Sequence, residues 1–331
     1  MTTGGSVPVE MNAVVSERPG PPEVLSVRRI PVPALPDKGV LVRVRATSVS
    51  PGDCRMRAQA APRGQRGPRL VGLDVAGEVV SVGASVTHVR PGERVYAFSM
   101  RSVASAEYAV MPGSVVTPIP AGLTFQQAAA VPLSASTALQ ALRDVAQVKP
   151  GERVLVVGAS GGVGTFAVQL ARLLGADVTG VCSTPHVALV QELGAHRVLD
   201  HTRTDFTRDT ERYDVVLNTT LARTFLACRR LLKPTGRYVT VALPAPWTDM
   251  AAGLLPTPRF LLASAQPRGE DLRQLAAWLA SGQLRPVIRQ VFPYTRFAEA
   301  HRACEAGQSG GKLVVDLEHL STAEQAPRAS A

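Results

Sequence analysis

Arg153-Val154-Leu155-Val156-Val157-Gly158-Ala159-Ser160-Gly161-Gly162-Val163-Gly164 is the stretch that decides the fold. Its first five residues form an apolar, β-branched run long enough for one buried strand. The glycines then turn the chain. From Val163 to Leu174 the apolar residues Val163, Phe166, Ala167, Leu170, Ala171 and Leu174 recur at spacings of three and four, which predicts an amphipathic helix stopped by Gly175. Glycine at such a turn has a mechanical purpose. The turn is tight, the backbone must approach a pyrophosphate, and the helix N-terminus offers unpaired N–H groups and positive dipole potential. Ala159, Gly161 and Gly164 occupy the three fingerprint positions, with Ser160, Gly162 and Val163 between them. The loop lacks the Gly-Lys-Ser/Thr ending of a nucleotide-hydrolysing P-loop, so it favours a dinucleotide.

Working outward, strands are predicted at Asp177 to Cys182, Arg197 to Leu199, Asp214 to Leu217 and Arg237 to Leu243, with helices at Val187 to Leu193 and Ala222 to Leu232. This alternation implies a parallel, doubly wound sheet. Upstream, Gly39 to Ala46, Val75 to Val82 and Arg94 to Phe98 read as short strands among Pro and Gly turns, with little helical period before Phe125. Downstream, Phe260 to Ala263 and Lys312 to Leu317 read as strands, Asp271 to Leu279 and Arg296 to Glu305 as helices. The fold class is therefore α/β, with a β-rich domain from 1–125 and 264–320, a dinucleotide-binding domain at 126–263, and a disordered tail at 321–331.

Composition narrows the function. The 331 residues suffice for two domains, and 45% apolar side chains exclude general disorder. Cys54, Cys182, Cys228 and Cys304 contain no C-x-x-C pair, which argues against a disulfide framework or a cysteine-rich zinc lobe and fits a reducing, cytoplasmic setting. Between Met1 and Met11 no basic segment leads into an apolar core, and no apolar run approaches a membrane span; neither a signal peptide nor a membrane partner is expected. The net charge is +10, and all but four of the 36 basic residues are arginine. These arginines are dispersed. The densest group, Arg55, Arg57, Arg63, Arg66 and Arg69, has no interleaved aromatic for base stacking, so a nucleic-acid partner is disfavoured against an anionic small molecule.

An NAD site usually carries an acid at the end of the second strand, to bind the ribose 2′-hydroxyl. Here Cys182-Ser183-Thr184-Pro185-His186 stands instead. Hydroxyls and a histidine suit a 2′-phosphate, which favours NADPH over NADH.

The loop together with Gly72-Leu73-Asp74-Val75-Ala76-Gly77-Glu78-Val79-Val80-Ser81-Val82-Gly83 and Pro91-Gly92-Glu93-Arg94-Val95 resembles the medium-chain dehydrogenase/reductase superfamily, and within it the zinc-free quinone oxidoreductase branch. The resemblance runs from about Met11 to Leu317. It implies a GroES-like catalytic domain, a Rossmann NADP-binding domain, a nicotinamide held in the cleft between them, and a homodimer. Zinc-dependent members place a Cys, a His-Glu pair and a second Cys around the metal. The matching positions are Ser50, Leu73-Asp74 and Leu133, and leucine cannot ligate, so no zinc is expected.

The chemistry this implies is NADPH-dependent hydride transfer to a quinone or to the C=C bond of an α,β-unsaturated carbonyl, whose charge delocalises onto a distant oxygen. Two alternatives stand beside it: an enoyl reductase of a polyketide or other secondary-metabolite pathway, and a non-enzymatic NADPH-binding redox sensor or nucleic-acid-binding scaffold.

By the same resemblance, Ser50 and Asp53 occupy the family's Asn-x-x-Asp beside the substrate and are the catalytic candidates. An aspartate after Pro-Gly is more often a turn or N-cap residue. Arg57, Leu73 and Leu133 are expected at the substrate pocket, with a solvated arginine as the plainer reading of Arg57. Thr137 falls near the nicotinamide, or else bonds its own helix backbone. Ser183, Thr184, His186 and His201 face the adenosine phosphate, Asn218 the ribose, and Lys312 the cleft as the family's Gly-Lys lysine.

Overall fold

The computed structural model describes residues 7–59, 67–101, 103–220, 223–241, 249, 258–307 and 310–322. Arg153–Val157 lies inside a six-stranded sheet whose order is Arg197–Asp200, Asp177–Cys182, Arg153–Val157, Tyr213–Asn218, Leu232–Thr240, Arg259–Leu262. Every pairing in it is parallel. Side chains alternate across the sheet. Val154 and Val156 join Phe166, Ala167 and Leu170 of the helix Gly162–Leu173 in one core, while Leu155 and Val157 join Tyr213, Phe225 and Tyr238 in the other. The strand order reverses between Arg153–Val157 and Tyr213–Asn218, which opens a ligand crevice at their C-terminal ends.

A second sheet of seven strands runs Ile288–Pro293, Lys312–Asp316, Gly39–Val49, Asp74–Val82, Arg94–Phe98, Thr117–Pro118, with Tyr108–Pro112 also pairing Gly39–Val49. Only its outermost pair, Ile288–Pro293 with Lys312–Asp316, is parallel. Leu313 pairs with Val49, so the C-terminal strand is laid directly beside the strand that leads to Ser50. Gly77 is required where two strands approach: a Cβ there would lie 2.0 Å from the Arg43 carbonyl oxygen. A small sheet of Leu25–Pro31, Glu10–Ser16 and Arg69–Leu70 flanks this core.

Some elements differ from expectation. A helix, Pro51–Ala58, interrupts the β-rich third. The helix expected from Ala222 to Leu232 is a single turn, Phe225–Cys228, followed by the 3-10 turn Arg229–Leu231, and Leu232 already begins the strand Leu232–Thr240. Ala222 lies outside the described residues, as do Arg63, Arg66 and positions 242–248 and 250–257. The expected disordered tail is corrected at its start, because Leu320–Thr322 forms a 3-10 turn with Leu320 buried; positions 323–331 lie outside the described residues. Among the described residues no helix is long and apolar enough to cross a membrane.

Candidate active site

The glycine loop is built as the sequence requires. Gly158 has φ +83°, and a Cβ on it would strike Thr220 Cγ2 at 2.4 Å and Thr219 Oγ1 at 2.6 Å. At Gly164 a Cβ would sit 2.0 Å from the Gly158 carbonyl oxygen, so the first helical turn packs against the loop itself. Gly161 caps the helix in an extended conformation with no side-chain cap, leaving the first-turn N–H groups to an external acceptor. Gly161, Gly162 and Val163 are half-buried; Ala159 and Ser160 are buried. Ala159 serves packing against Gly180, where an added Cβ would lie 3.1 Å from its own. The Ser160 carbonyl accepts from Gly310 N (2.8 Å) and Gly311 N (3.0 Å), which ties the loop to the Gly310-Gly311-Lys312 segment. These features form a cradle that a side chain would fill and that a dinucleotide pyrophosphate fits.

At the far end of the cradle, Ser183 and His186 are half-buried and Thr184 and His201 exposed. His186 reaches back to the C-terminal segment, since a Cβ on Gly310 would lie 2.8 Å from His186 Cε1 and 3.3 Å from Arg289 Nη1. Burial and the Arg289 charge lower the His186 pKa. Beside Cys182 on the neighbouring strand stands an acid, Asp200, which accepts from Thr184 Oγ1 and Thr202 Oγ1, bonds that bring its pKa down to about 2. Sequence reading missed Asp200 because it ends a different strand. Asn218 is buried with both ends of its amide engaged. Its Nδ2 donates to the Arg223 carbonyl (2.8 Å) and Tyr238 hydroxyl (2.7 Å), and its Oδ1 accepts from Thr220 N (3.1 Å). It shapes the Thr219-Thr220 turn against Gly158, so its side chain is engaged within the protein at the position where a ribose contact is expected.

Between the two sheets lies a buried polar cluster. Asp74, 1% exposed, accepts at Oδ1 from Leu133 N (2.7 Å) and at Oδ2 from the Ser48 hydroxyl, with Lys312 Nζ 3.7 Å from Oδ2. Burial raises its pKa, while Lys312 pulls the other way. Lys312 is itself buried, and its stem passes the dinucleotide helix: a Cβ on Gly162 would be 2.9 Å from Lys312 Cδ. Lys312 therefore stands between the phosphate cradle and Asp74. Asp53 is also 1% exposed, and burial pushes its pKa up to about 6, opposed by the Ser50 hydrogen bond and Lys312, reinforced by Asp74. Ser50 N donates to Asp53 Oδ2 (2.8 Å), as does the Ser50 hydroxyl, while Asp53 N donates back to Ser50 Oγ in a capping box. Asp53 Oδ1 is buried without a hydrogen-bond partner.

Leu133 is half-buried and Leu73 buried behind Gly52. Thr137 Oγ1 donates to the Leu133 carbonyl (2.6 Å), the helix-backbone alternative. The solvated reading of Arg57 is corrected: it is 2% exposed, donates to the Gly20 carbonyl (3.0 Å) and pairs with Glu305, so it locks a helix rather than guiding an acceptor. Arg69 likewise donates to the Met56 and Arg57 carbonyls. Asp74 and Ser48 were legible in principle, Asp74 standing third in the quoted Gly72 to Gly83 motif and Ser48 sharing strand parity with Ser50.

The description "Alcohol dehydrogenase GroES-like domain" matches residues 36–135, and "Zinc-binding dehydrogenase" matches residues 193–315. The chain is 33% identical to quinone oxidoreductase of Homo sapiens, over 96% of this chain and 100% of that protein. It belongs to the quinone oxidoreductase branch of the medium-chain dehydrogenase/reductase superfamily. Another relative, the chloroplastic NADPH-dependent alkenal/one oxidoreductase of Arabidopsis thaliana, is 31% identical over 95% of this chain and 82% of its own length. The solved quinone oxidoreductase of Coxiella burnetii superposes with a TM-score of 0.86 at 29% identity, covering 93% of this chain and 99% of that one. The chain is thus an oxidoreductase with the superfamily's GroES-like and Rossmann-like domains. Its donor set does not fit the superfamily's zinc: Leu73 offers no lone pair, Ser50 is bonded to Asp53, and among the described residues no three or more His, Cys, Asp or Glu are grouped to hold a metal.

Proposed function

We propose that this chain is an NADPH-dependent, zinc-independent reductase of quinones or of the C=C bond of α,β-unsaturated carbonyls. The observation that carries the reading is the Ser50–Asp53 pair, a hydroxyl backed by a buried carboxyl with pKa about 6, at a position where zinc relatives place a ligand. The names of the human and Arabidopsis relatives support the acceptor class.

Gly158 to Gly164 and Lys312 would hold the pyrophosphate side of a reduced nicotinamide dinucleotide, which would supply hydride when bound. The acceptor's developing negative charge falls on oxygen, and the chain needs only to hydrogen-bond it and provide a proton. Ser50 Oγ is the hydroxyl suited to that oxygen, and Asp53 behind it keeps a proton up to about pH 6, where an ordinary carboxyl has already lost its own. The Lys312 ammonium adds positive charge to the same buried region.

The preference for NADPH rests on Ser183, His186 and the nearby Arg289, and is opposed by Asp200. Homodimer formation belongs to the same reading, supported by the exposed Leu262 on the terminal strand Arg259–Leu262. Cytoplasmic residence is supported by four free thiols. The test is NADPH and NADH oxidation with quinones, enones and the matching saturated ketones. NADPH with conjugated acceptors alone should turn over, and equal rates on a saturated ketone overturn the proposal. Asp200→Ser should raise the NADPH-to-NADH rate ratio about tenfold, the size of one lost like-charge contact.

A further inference from the structure

Directly after Asp53 the helix Pro51–Ala58 presents Cys54 to a second helix, Phe297–Glu305. Cys54 is buried, with Sγ 3.5 Å from His301 Nδ1 and 3.8 Å from the His301 carbonyl oxygen. Almost one turn beyond His301 on the same helix lies Cys304, half-buried, and the His301 carbonyl that Cys54 Sγ approaches opens the turn that carries it. The helices are clamped around this contact. Arg57 Nη1 lies 3.3 Å from His301 Nδ1, and Arg57 Nη2 pairs with Glu305. Both cysteines pack against one apolar cluster with Phe297 and Ala300. Nothing in the Ser50–Asp53 chemistry uses them.

The pair is asymmetric. The neighbouring Cys304 sulfur and burial raise Cys54, whereas the neighbouring Cys54 thiol and the Lys312 charge lower Cys304 against burial and the Asp53 and Glu305 charges. Thiolate character thus collects on the more exposed sulfur, which is the one a solute reaches. Cys182 and Cys228 are the contrast. Both are buried, and burial pushes their thiols up to about 11 and about 12. His301, brought down to about 3 by burial and Arg57, stays neutral beside Cys54, its Nδ1 facing the Arg57 guanidinium.

We propose that Cys304 and Cys54 form a redox-modification site, in which a hydroperoxide oxidises Cys304 and Cys54 resolves the product to an intramolecular disulfide. In the first step the Cys304 thiolate attacks one peroxide oxygen. An S–O bond forms, the O–O bond breaks, and the departing hydroxide takes a solvent proton to become water, leaving Cys304 sulfenic acid. In the second step Cys54 sulfur attacks Cys304 sulfur. The S–S bond forms, the S–O bond breaks, and hydroxide leaves as water with the Cys54 proton. In sum two thiols and one hydrogen peroxide give one disulfide and two waters, the sulfurs losing two electrons to the peroxide. The bridge joins the helix that carries Asp53 to the helix that precedes Lys312.

The test needs no turnover, so it stands apart from the reductase reading. The full chain is treated with hydrogen peroxide, its remaining thiols are alkylated, and its peptides are mapped by mass spectrometry. A Cys54–Cys304 linked peptide that dithiothreitol releases is the expected result. Cys54→Ser should trap sulfenic acid at Cys304, detected by dimedone, and Cys304→Ser should leave Cys54 unmodified. In the untreated protein iodoacetamide should label Cys304 at least about tenfold faster than Cys182 or Cys228. Oxidation of wild-type Cys304 to sulfinic acid without a linked peptide, or equal labelling of all four cysteines, overturns the proposal. Should Cys54→Ser not fold, the wild-type peptide map decides.

Discussion

Asp53 shows how one residue carries both a structural and a chemical duty. As N3 of the capping box it holds the start of its helix, and the same burial that makes the cap rigid keeps its carboxyl protonated to about pH 6. The sign of the consequence follows from linkage. An unfolded aspartate releases its proton near pH 3.9, whereas the folded one retains it to about 6, so between these values the folded state binds more protons. Asp53 therefore contributes stability below about pH 4, and that contribution is lost as pH rises to about 6, a decrease on the order of 2–3 kcal/mol. Asp53→Asn cannot ionise and should not show this loss. Urea unfolding of both proteins from about pH 4 to about pH 7 measures the difference, in which the similarly raised Asp74 largely cancels. A flat difference across that range means that Asp53 titrates as an ordinary carboxylate.

The strand, loop and helix from Arg153 to Leu173 were legible because their signals are local: an apolar run, glycines at a tight turn, and a three-and-four spacing. Gly164→Ala probes that element, since its Cβ would overlap the Gly158 carbonyl at 2.0 Å and move the helix N-terminus off the cradle. Fluorescence titration should show NADPH affinity lower by about tenfold or more, with near-native circular dichroism; unchanged affinity would place the pyrophosphate elsewhere. Other elements lacked such signals. Pro51–Ala58 has no apolar stripe to give a helical period, yet Ser50-Pro51-Gly52-Asp53 carries a cap, a proline at the first turn and an acid at N3, so capping chemistry announced what periodicity hid. In Leu232–Thr240 the run Lys233-Pro234-Thr235-Gly236 imitates a turn, and only the pairing of Tyr213 with Leu232 draws it into the sheet. Ile288–Pro293 is an edge strand with mostly exposed side chains, so burial imprinted little alternation on it.

At the scale of the molecule, the active region is assembled from segments far apart in sequence, which is why its two domains were legible and its central contact was not. Lys312 was expected at the cleft, but nothing local in Gly310-Gly311-Lys312 names Asp74 as its partner; that contact exists because Leu313 pairs with Val49, which sets Lys312 beside the strands that bear Ser48 and Asp74. Asp74 also holds Leu133 N at the start of the helix Pro132–Gln140, so one carboxylate joins that helix to the seven-stranded sheet and to the C-terminal return of the chain. Two buried opposite charges 3.7 Å apart are costly to separate. Lys312→Met leaves Asp74 without its cation and Asp74→Asn leaves a buried ammonium, and each should cost about 3 kcal/mol in urea unfolding near neutral pH. The double variant removes both charges at once and should cost less than the sum of the two by at least about 1 kcal/mol. Acid should relieve Lys312→Met alone, because the Asp74 carboxyl, already raised by burial, then takes up a proton and needs no counter-charge. Simple additivity of the two substitutions would mean that the seven-stranded sheet holds Lys312 and Asp74 in place by packing and hydrogen bonds, with the ion pair adding little to stability.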